Sequence, residues 1–153
     1  MLNPGMYGRD RHEWETPLRL FLLLDQEFHF ILDPCATPEN AKCQTFYTKE
    51  QNGLALPWEG AVFCNPPYGR GIGDWIRKAV LESQRGAVVV CLTFVRSDTE
   101  WWHKWAMRAD ECRLIRGRLK FSGQGSAPFP SCILVFRPGV NGPPTLRSQF
   151  RGT

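Results

Sequence analysis

The chain has 153 residues, 42% of them hydrophobic and 22% charged. That length predicts one domain, and that composition excludes disorder as the main state. With 19 Lys and Arg against 15 Asp and Glu, the net charge of +4 permits a nucleic-acid partner without demanding one.

In chain order, residues 1–12 read as a loose polar arm. Thr16-Pro17 then opens a helix, with Thr16 as N-cap and Pro17 at the first helical position, running to about Glu27. Phe28 to Leu32 reads as a buried strand stopped by Asp33-Pro34. Residues 34–44 are turn-rich, with a short helix expected from Glu39. Thr45 to Tyr47 is a candidate strand, and Asn52-Gly53 a turn. Ala61 to Cys64 reads as a central strand. Ile72, Trp75, Ile76, Ala79 and Val80 form an amphipathic helix closed by Gly86. Ala87 to Phe94 is apolar on both faces, as in a covered parallel sheet. Ser97 to Glu100 matches a capping box for a helix to about Ala109. Cys112 to Ile115 and Cys132 to Phe136 are further strands, joined by a Gly- and Pro-containing loop at 122–131. Beyond Pro138 the Pro, Gly, Arg and Ser content predicts a frayed tail.

Strands alternating with helices predict an α/β fold: a mostly parallel central sheet with helices on both faces. Ligands of such sheets bind beyond the carboxyl ends of the strands. Three loops are expected to meet there, beginning at Asp33, Asn65 and Val95.

Residues 21–24 and 87–92 are the longest apolar runs, far short of the roughly 20 residues a membrane span needs. The N-terminus shows no charged-then-apolar signal pattern, so a cytoplasmic protein is expected. The six cysteines include no C-x-x-C spacing, and Cys64, Cys91 and Cys132 lie in apolar runs, as buried thiols do. His12, His29 and His103 form no ligand pair, so no metal is expected.

The chemistry concentrates in Asn65-Pro66-Pro67-Tyr68. Two prolines fix φ and cannot donate hydrogen bonds, so the strand must end there with outward-facing carbonyl acceptors. Asn65 adds an amide oxygen and Tyr68 an aromatic face. Acceptors beside a stacking surface suit a planar amine whose nitrogen lone pair must stay available. The strand-to-helix setting lifts this motif above an ordinary turn.

Asn-Pro-Pro-Tyr in this setting resembles the catalytic motif of S-adenosylmethionine-dependent methyltransferases acting on exocyclic amino groups. The chain as a whole, over residues 12–137, resembles the phage-type, Dam-like DNA adenine methyltransferases. Blocks carrying the resemblance include Glu13 to Pro17, Leu32 to Ala36, Asn52 to Leu54, Phe63 to Gly69, Arg96 to His103, Arg116 to Phe121 and Ala127 to Ser131. The resemblance implies an abbreviated Rossmann-like fold and a single methyltransferase domain. It assigns catalysis to Asn65, Pro66, Pro67 and Tyr68. It assigns cofactor contact to Thr16, Pro17, Asp33, Pro34, Cys35, Ala36, Asn52 and Asn65. S-adenosylmethionine would be consumed to S-adenosylhomocysteine, and the substrate would be an adenine flipped from double-stranded DNA. Such an enzyme would work in the cytoplasm of a bacterial host, encoded by a phage or prophage.

Two features depart from the family pattern. The glycine-rich loop after the first strand is replaced by Asp33-Pro34-Cys35-Ala36-Thr37-Pro38. The short stretch from Asp33 to Asn65 leaves the ribose partner open among Asn40, Lys42 and Glu50. Plainer roles stand beside the functional ones: Asp33 as a turn cap, Thr16 as a helix cap, Asn52 as a turn residue, and Trp101, Trp102 and Trp105 as core. Arg70, Arg96, Arg118 and Lys120 are candidate DNA contacts. No room remains for a separate recognition domain, so loops or a homodimer would supply sequence reading. The alternatives are an amino methyltransferase for RNA or protein glutamine, and a catalytically inactive DNA-binding relative.

Overall fold

A computed structural model of the chain describes residues 15–121 and 125–152. The polar arm expected at 1–12 lies outside the described residues. Helix α1 spans Leu18–Phe28 and buries Leu20, Phe21 and Leu24. It ends where His29 turns left-handed at φ 55°, and the Asp25 carboxylate accepts the Phe30 amide at 2.8 Å. The strand expected from Phe28 therefore shrinks to β1, Leu32–Asp33. Phe28 stays in the helix because its ring packs on Phe30 and beneath the Arg113 and Arg137 guanidinium groups.

Thr16 does not cap α1. Pro17 occupies that position, and its carbonyl accepts the Phe21 amide. No helix starts at Glu39; Thr37 and Asn40 close a turn through reciprocal side-chain bonds. Strand β2 is Thr45–Phe46. A single 3-10 turn at Gly53–Ala55 leads to β3, Ala61–Cys64. Helix α2, Ile72–Gln84, and strand β4, Val88–Phe94, follow the pattern read from the sequence.

The capping box at Ser97 does not form. Helix α3 is only Glu100–Lys104 with Thr99 as N-cap, whose hydroxyl bonds the Arg96 carbonyl. A 3-10 turn at Ala106–Arg108 replaces the rest of the expected helix. Strands β5, Glu111–Ile115, and β6, Ser131–Phe136, then complete the interior of the sheet.

The tail after Pro138 is not frayed. Thr145–Gln149 forms β7, parallel to β5 at the sheet edge. Its polar side chains hid it, yet they help to hold it: Arg147 pairs with Glu111 at 2.9 Å and Gln149 accepts from Arg113 at 3.4 Å.

The seven strands are ordered β2-β1-β3-β4-β6-β5-β7. The β4–β6 and β6–β5 ladders are antiparallel and the others parallel, so the mostly parallel α/β sheet expected from the sequence is present. β4 from Val89 and all of β6 are buried at every residue, which requires cover on both faces. Helix α1 lies over the face carrying Phe63, where Phe21 and Phe30 meet its ring at 5.2 and 5.3 Å. Helix α2 packs on β4 and β6.

Away from the ligand edge, Glu111 gathers Arg113, Arg137 and Arg147, and Glu27 joins through Arg113 at 2.7 Å. Burial opposes ionisation of Glu111, but hydrogen bonds from Arg113 and Arg137 hold its carboxyl below the ordinary value.

Candidate active site

The parallel order of β1, β3 and β4 places their carboxyl ends side by side. Asp33 ends β1, Asn65 follows β3, and Val95 follows β4. The three loops expected to converge therefore do converge on one edge.

A pocket opens there, lined by Glu15, Thr16, Asp33, Asn40, Lys42 and Asn65. Asp33, Thr16 and Asn65 are all buried. Asn65 Nδ2 donates to Thr16 Oγ1 at 3.0 Å. That bond orients the amide, directing its nitrogen at Thr16 and its oxygen elsewhere. Thr16 thus lines the pocket and does not cap the helix.

Asp33 organises the loop that lacks glycines. Its Oδ1 accepts the Cys35 amide at 3.3 Å and its Oδ2 accepts the Lys42 amide at 3.2 Å. A carboxylate gathers backbone N–H groups that a glycine-rich turn would otherwise present to a ligand. The turn-cap role and a place in the pocket are both satisfied by one residue. Cys35 and Ala36 are buried behind it, and the Ala36 amide bonds the Tyr47 carbonyl at 2.9 Å.

The pocket's remaining charge comes from Lys42, whose Nζ lies 2.9 Å from Glu15 Oε1. Of the three ribose candidates, Asn40 and Lys42 line the pocket, whereas Glu50 is exposed in the turn at 48–51. Glu15 had no role in the sequence reading. Only the fold brings it to Lys42, 27 residues away. Neighbouring Cys43 has its thiol pushed up to about 12, chiefly by burial and then by Asp33 and Asp25. It is no nucleophile at neutral pH. A cation, two carboxylates, two amides and a hydroxyl make this pocket complementary to a small zwitterion.

Asn52 is exposed and left-handed at φ 59°, its Oδ1 capping the Leu54 amide at 3.3 Å. It does not line the pocket. Its neighbour Gly53 matters more: a Cβ there would run into the Pro34 carbonyl oxygen. Pro17 and Pro34 do not line the pocket, and Pro66 is buried while Pro67 is exposed.

Tyr68 lies in an aromatic cluster. Its ring stacks on Phe94 at 4.9 Å and 20°, and meets Phe121 and Phe129 edgewise at 6.4 and 5.5 Å. Its hydroxyl donates to the Leu92 carbonyl at 3.4 Å. With only 7% of the residue exposed, a planar ligand reaches this ring only if a neighbouring ring moves. Trp102 is buried and Trp101 and Trp105 pack against the core, as expected.

Arg70, Arg116, Arg118 and Lys120 are exposed along the same edge, since β5 runs parallel to β4 through their shared neighbour β6. Arg118 also binds the tail, its carbonyl accepting from Arg151 at 2.7 Å. Arg96 is tied to Asp98 at 3.2 Å and lies 5.6 Å from the Phe94 ring centroid. The tip of the expected 122–131 loop, residues 122–124, lies outside the described residues.

The family model described as DNA N-6-adenine-methyltransferase (Dam) matches residues 6–136. The DNA N-6-adenine-methyltransferase of Haemophilus phage HP1 (strain HP1c1) is 34% identical over 139 residues, covering 84% of this chain and 80% of that protein. That of Escherichia phage T1 is 28% identical over 135 residues, covering 86% of this chain and 56% of that protein. The match spans β1 to β6 and every residue lining the pocket, so the chain belongs to the DNA N-6-adenine-methyltransferase (Dam) family.

Proposed function

We propose that this chain is a single-domain enzyme that methylates the exocyclic amino group of adenine in DNA, using S-adenosylmethionine. The observation that carries the reading is the junction of Asn65, at the end of β3, with a pocket suited to a zwitterion. The donor set fits the amino-acid end of that cofactor. Lys42 would pair with its carboxylate, and Asp33 and Glu15 would face its ammonium. When bound, the cofactor supplies an electrophilic methyl group on a sulfonium leaving group.

The chain's own residues position and polarise the amine. With Asn65 Nδ2 engaged by Thr16, Oδ1 is the end of the amide that accepts an adenine amino hydrogen. The Pro66 carbonyl, beyond the end of β3, would accept the other. These two oxygens hold the nitrogen lone pair toward the pocket. They also stabilise the positive charge that builds on nitrogen as it attacks, until the extra proton passes to solvent water. Tyr68 would stack on the extruded base after its aromatic neighbours give way.

Arg70, Arg96, Arg118 and Lys120 would meet phosphates of double-stranded DNA, in the cytoplasm of a phage-infected bacterium. A homodimer would add reading surface. Among the described residues no helix is long and apolar enough to cross a membrane.

The test is incubation with radiolabelled S-adenosylmethionine and unmethylated DNA, with RNA and protein in parallel, followed by nucleoside analysis. Label in N6-methyladenine is expected from DNA alone. Label only in RNA or protein, or cofactor binding without transfer, would overturn the reading.

A further inference from the structure

Lys42, Lys78, Arg85, Arg96, Arg113, Arg137 and Arg147 each form an ion pair with a carboxylate. One cluster does not. Around Trp105 stand Arg108 at 4.9 Å, Lys104 at 5.4 Å and Arg77 at 5.7 Å from the ring centroid. Among the described residues none of the three has a carboxylate partner. Arg77 and Lys104 are exposed, and Trp105 and Arg108 half-buried.

The cluster is assembled by tertiary structure. Arg77 comes from the second turn of α2, whereas Lys104 to Arg108 close α3 and the turn after it. Gly73 permits the contact, since a Cβ there would lie 2.9 Å from Trp101 Cβ. Helices α2 and α3 can therefore lie close enough for one indole to collect cations from both.

Stability does not account for this arrangement. An exposed cation–π contact is worth about 0.5–1 kcal/mol. Three like charges, each within 6 Å of the same ring centroid, repel one another at low salt. The repulsion becomes attraction beside a polyanion. Position points to which one. Both helices start at the edge that carries Asn65, and Arg77 lies about 8 Å along α2 from its first residue. That is a fraction of one turn of a DNA duplex, about 34 Å.

We propose that Arg77, Lys104 and Arg108, spread around Trp105, form a phosphate-docking surface for the duplex flanking the target base. The proposal rests on DNA being the substrate. It gives a small catalytic domain a second hold on DNA that carries no sequence information, since phosphate contacts position without specifying.

The experiment compares wild type with Arg77→Gln/Lys104→Gln/Arg108→Gln on a labelled mixed-sequence duplex of about 30 base pairs over a salt series. Calorimetry with S-adenosylhomocysteine serves as the control. The triple variant is expected to bind the cofactor product as wild type does and to bind DNA at least tenfold more weakly at low salt. Its slope of log affinity against log salt should be smaller by about 2.7, at about 0.9 for each of three lost phosphate contacts. In steady state the KM for DNA should rise with kcat unchanged. Should the triple variant misfold, Arg77→Gln/Lys104→Gln alters only exposed side chains and should lose a slope of about 1 to 2. Wild-type affinity and slope in a folded variant would overturn this proposal alone. A wild type that binds S-adenosylhomocysteine but no DNA would overturn the DNA reading and this surface with it.

Discussion

Asn65 and Thr16, 49 residues apart in sequence, are joined by a buried side-chain hydrogen bond of 3.0 Å. The bond couples the entrance of α1 to the end of β3. Thr16→Val removes the acceptor while keeping the shape. Losing a buried bond costs about 1–3 kcal/mol, so the rate of methyl transfer should fall roughly 10- to 100-fold. Asn65→Ala should abolish transfer and leave cofactor binding partly intact. Single-turnover methylation beside calorimetry with S-adenosylhomocysteine separates the two effects. An active Asn65→Ala enzyme would remove Asn65 from catalysis.

Lys42 is the cation lining the pocket, held by Glu15. Lys42→Met should weaken binding of S-adenosylmethionine about 10-fold or more, the loss of one charge-assisted contact of about 1.5–3 kcal/mol. Its affinity for the decarboxylated cofactor should barely change. Equal losses for both ligands would place the cofactor carboxylate elsewhere.

Gly53 faces the Pro34 carbonyl with no room for a side chain. Its own carbonyl accepts the Trp58 indole N–H at 2.8 Å. Gly53→Ala should therefore push the loop from Pro34 outward and destabilise the fold by about 1–3 kcal/mol. Thermal unfolding of the variant, with and without S-adenosylhomocysteine, measures this. An unchanged Tm would show that the loop yields freely.

Acid should weaken the fold through three carboxylates held low in the native state. Arg113 bonds hold Glu27 down. Burial opposes ionisation of Glu82 and Glu111, but their hydrogen-bonding partners prevail. Native values below unfolded ones mean stability that is complete above the unfolded glutamate value, about 4.3, and lost as pH falls through the native values. Tm should stay level from pH 7 to about 5 and drop below that. Glu111→Gln should lower Tm at neutral pH and shrink the acid drop.

Much of this protein was legible before its fold. The continuous apolar runs of β3 and β4 and the 3.6-residue spacing of α2 have few other ways to be buried, so those elements stand where they were read. Asn65-Pro66-Pro67-Tyr68 announces its chemistry because two prolines must end a strand wherever they sit. Thr16 and Asp33 were legible as pocket residues too, although Thr16 proved to cap nothing.

Contacts made at long range were decided only by tertiary structure. Lys42 meets Glu15 because Asp33 folds the segment after β1 back over the pocket. The polar tail becomes β7 because Glu111 and Arg113 wait on the neighbouring strand. Phe28 stays helical because two guanidinium groups, one from β5 and one from just after β6, lie on its ring. Periodicity and turn chemistry report what a segment can bury or bend by itself. They are silent about a charge or ring that arrives from elsewhere in the chain, and in this protein those arrivals build the pocket and the cationic surface beside it.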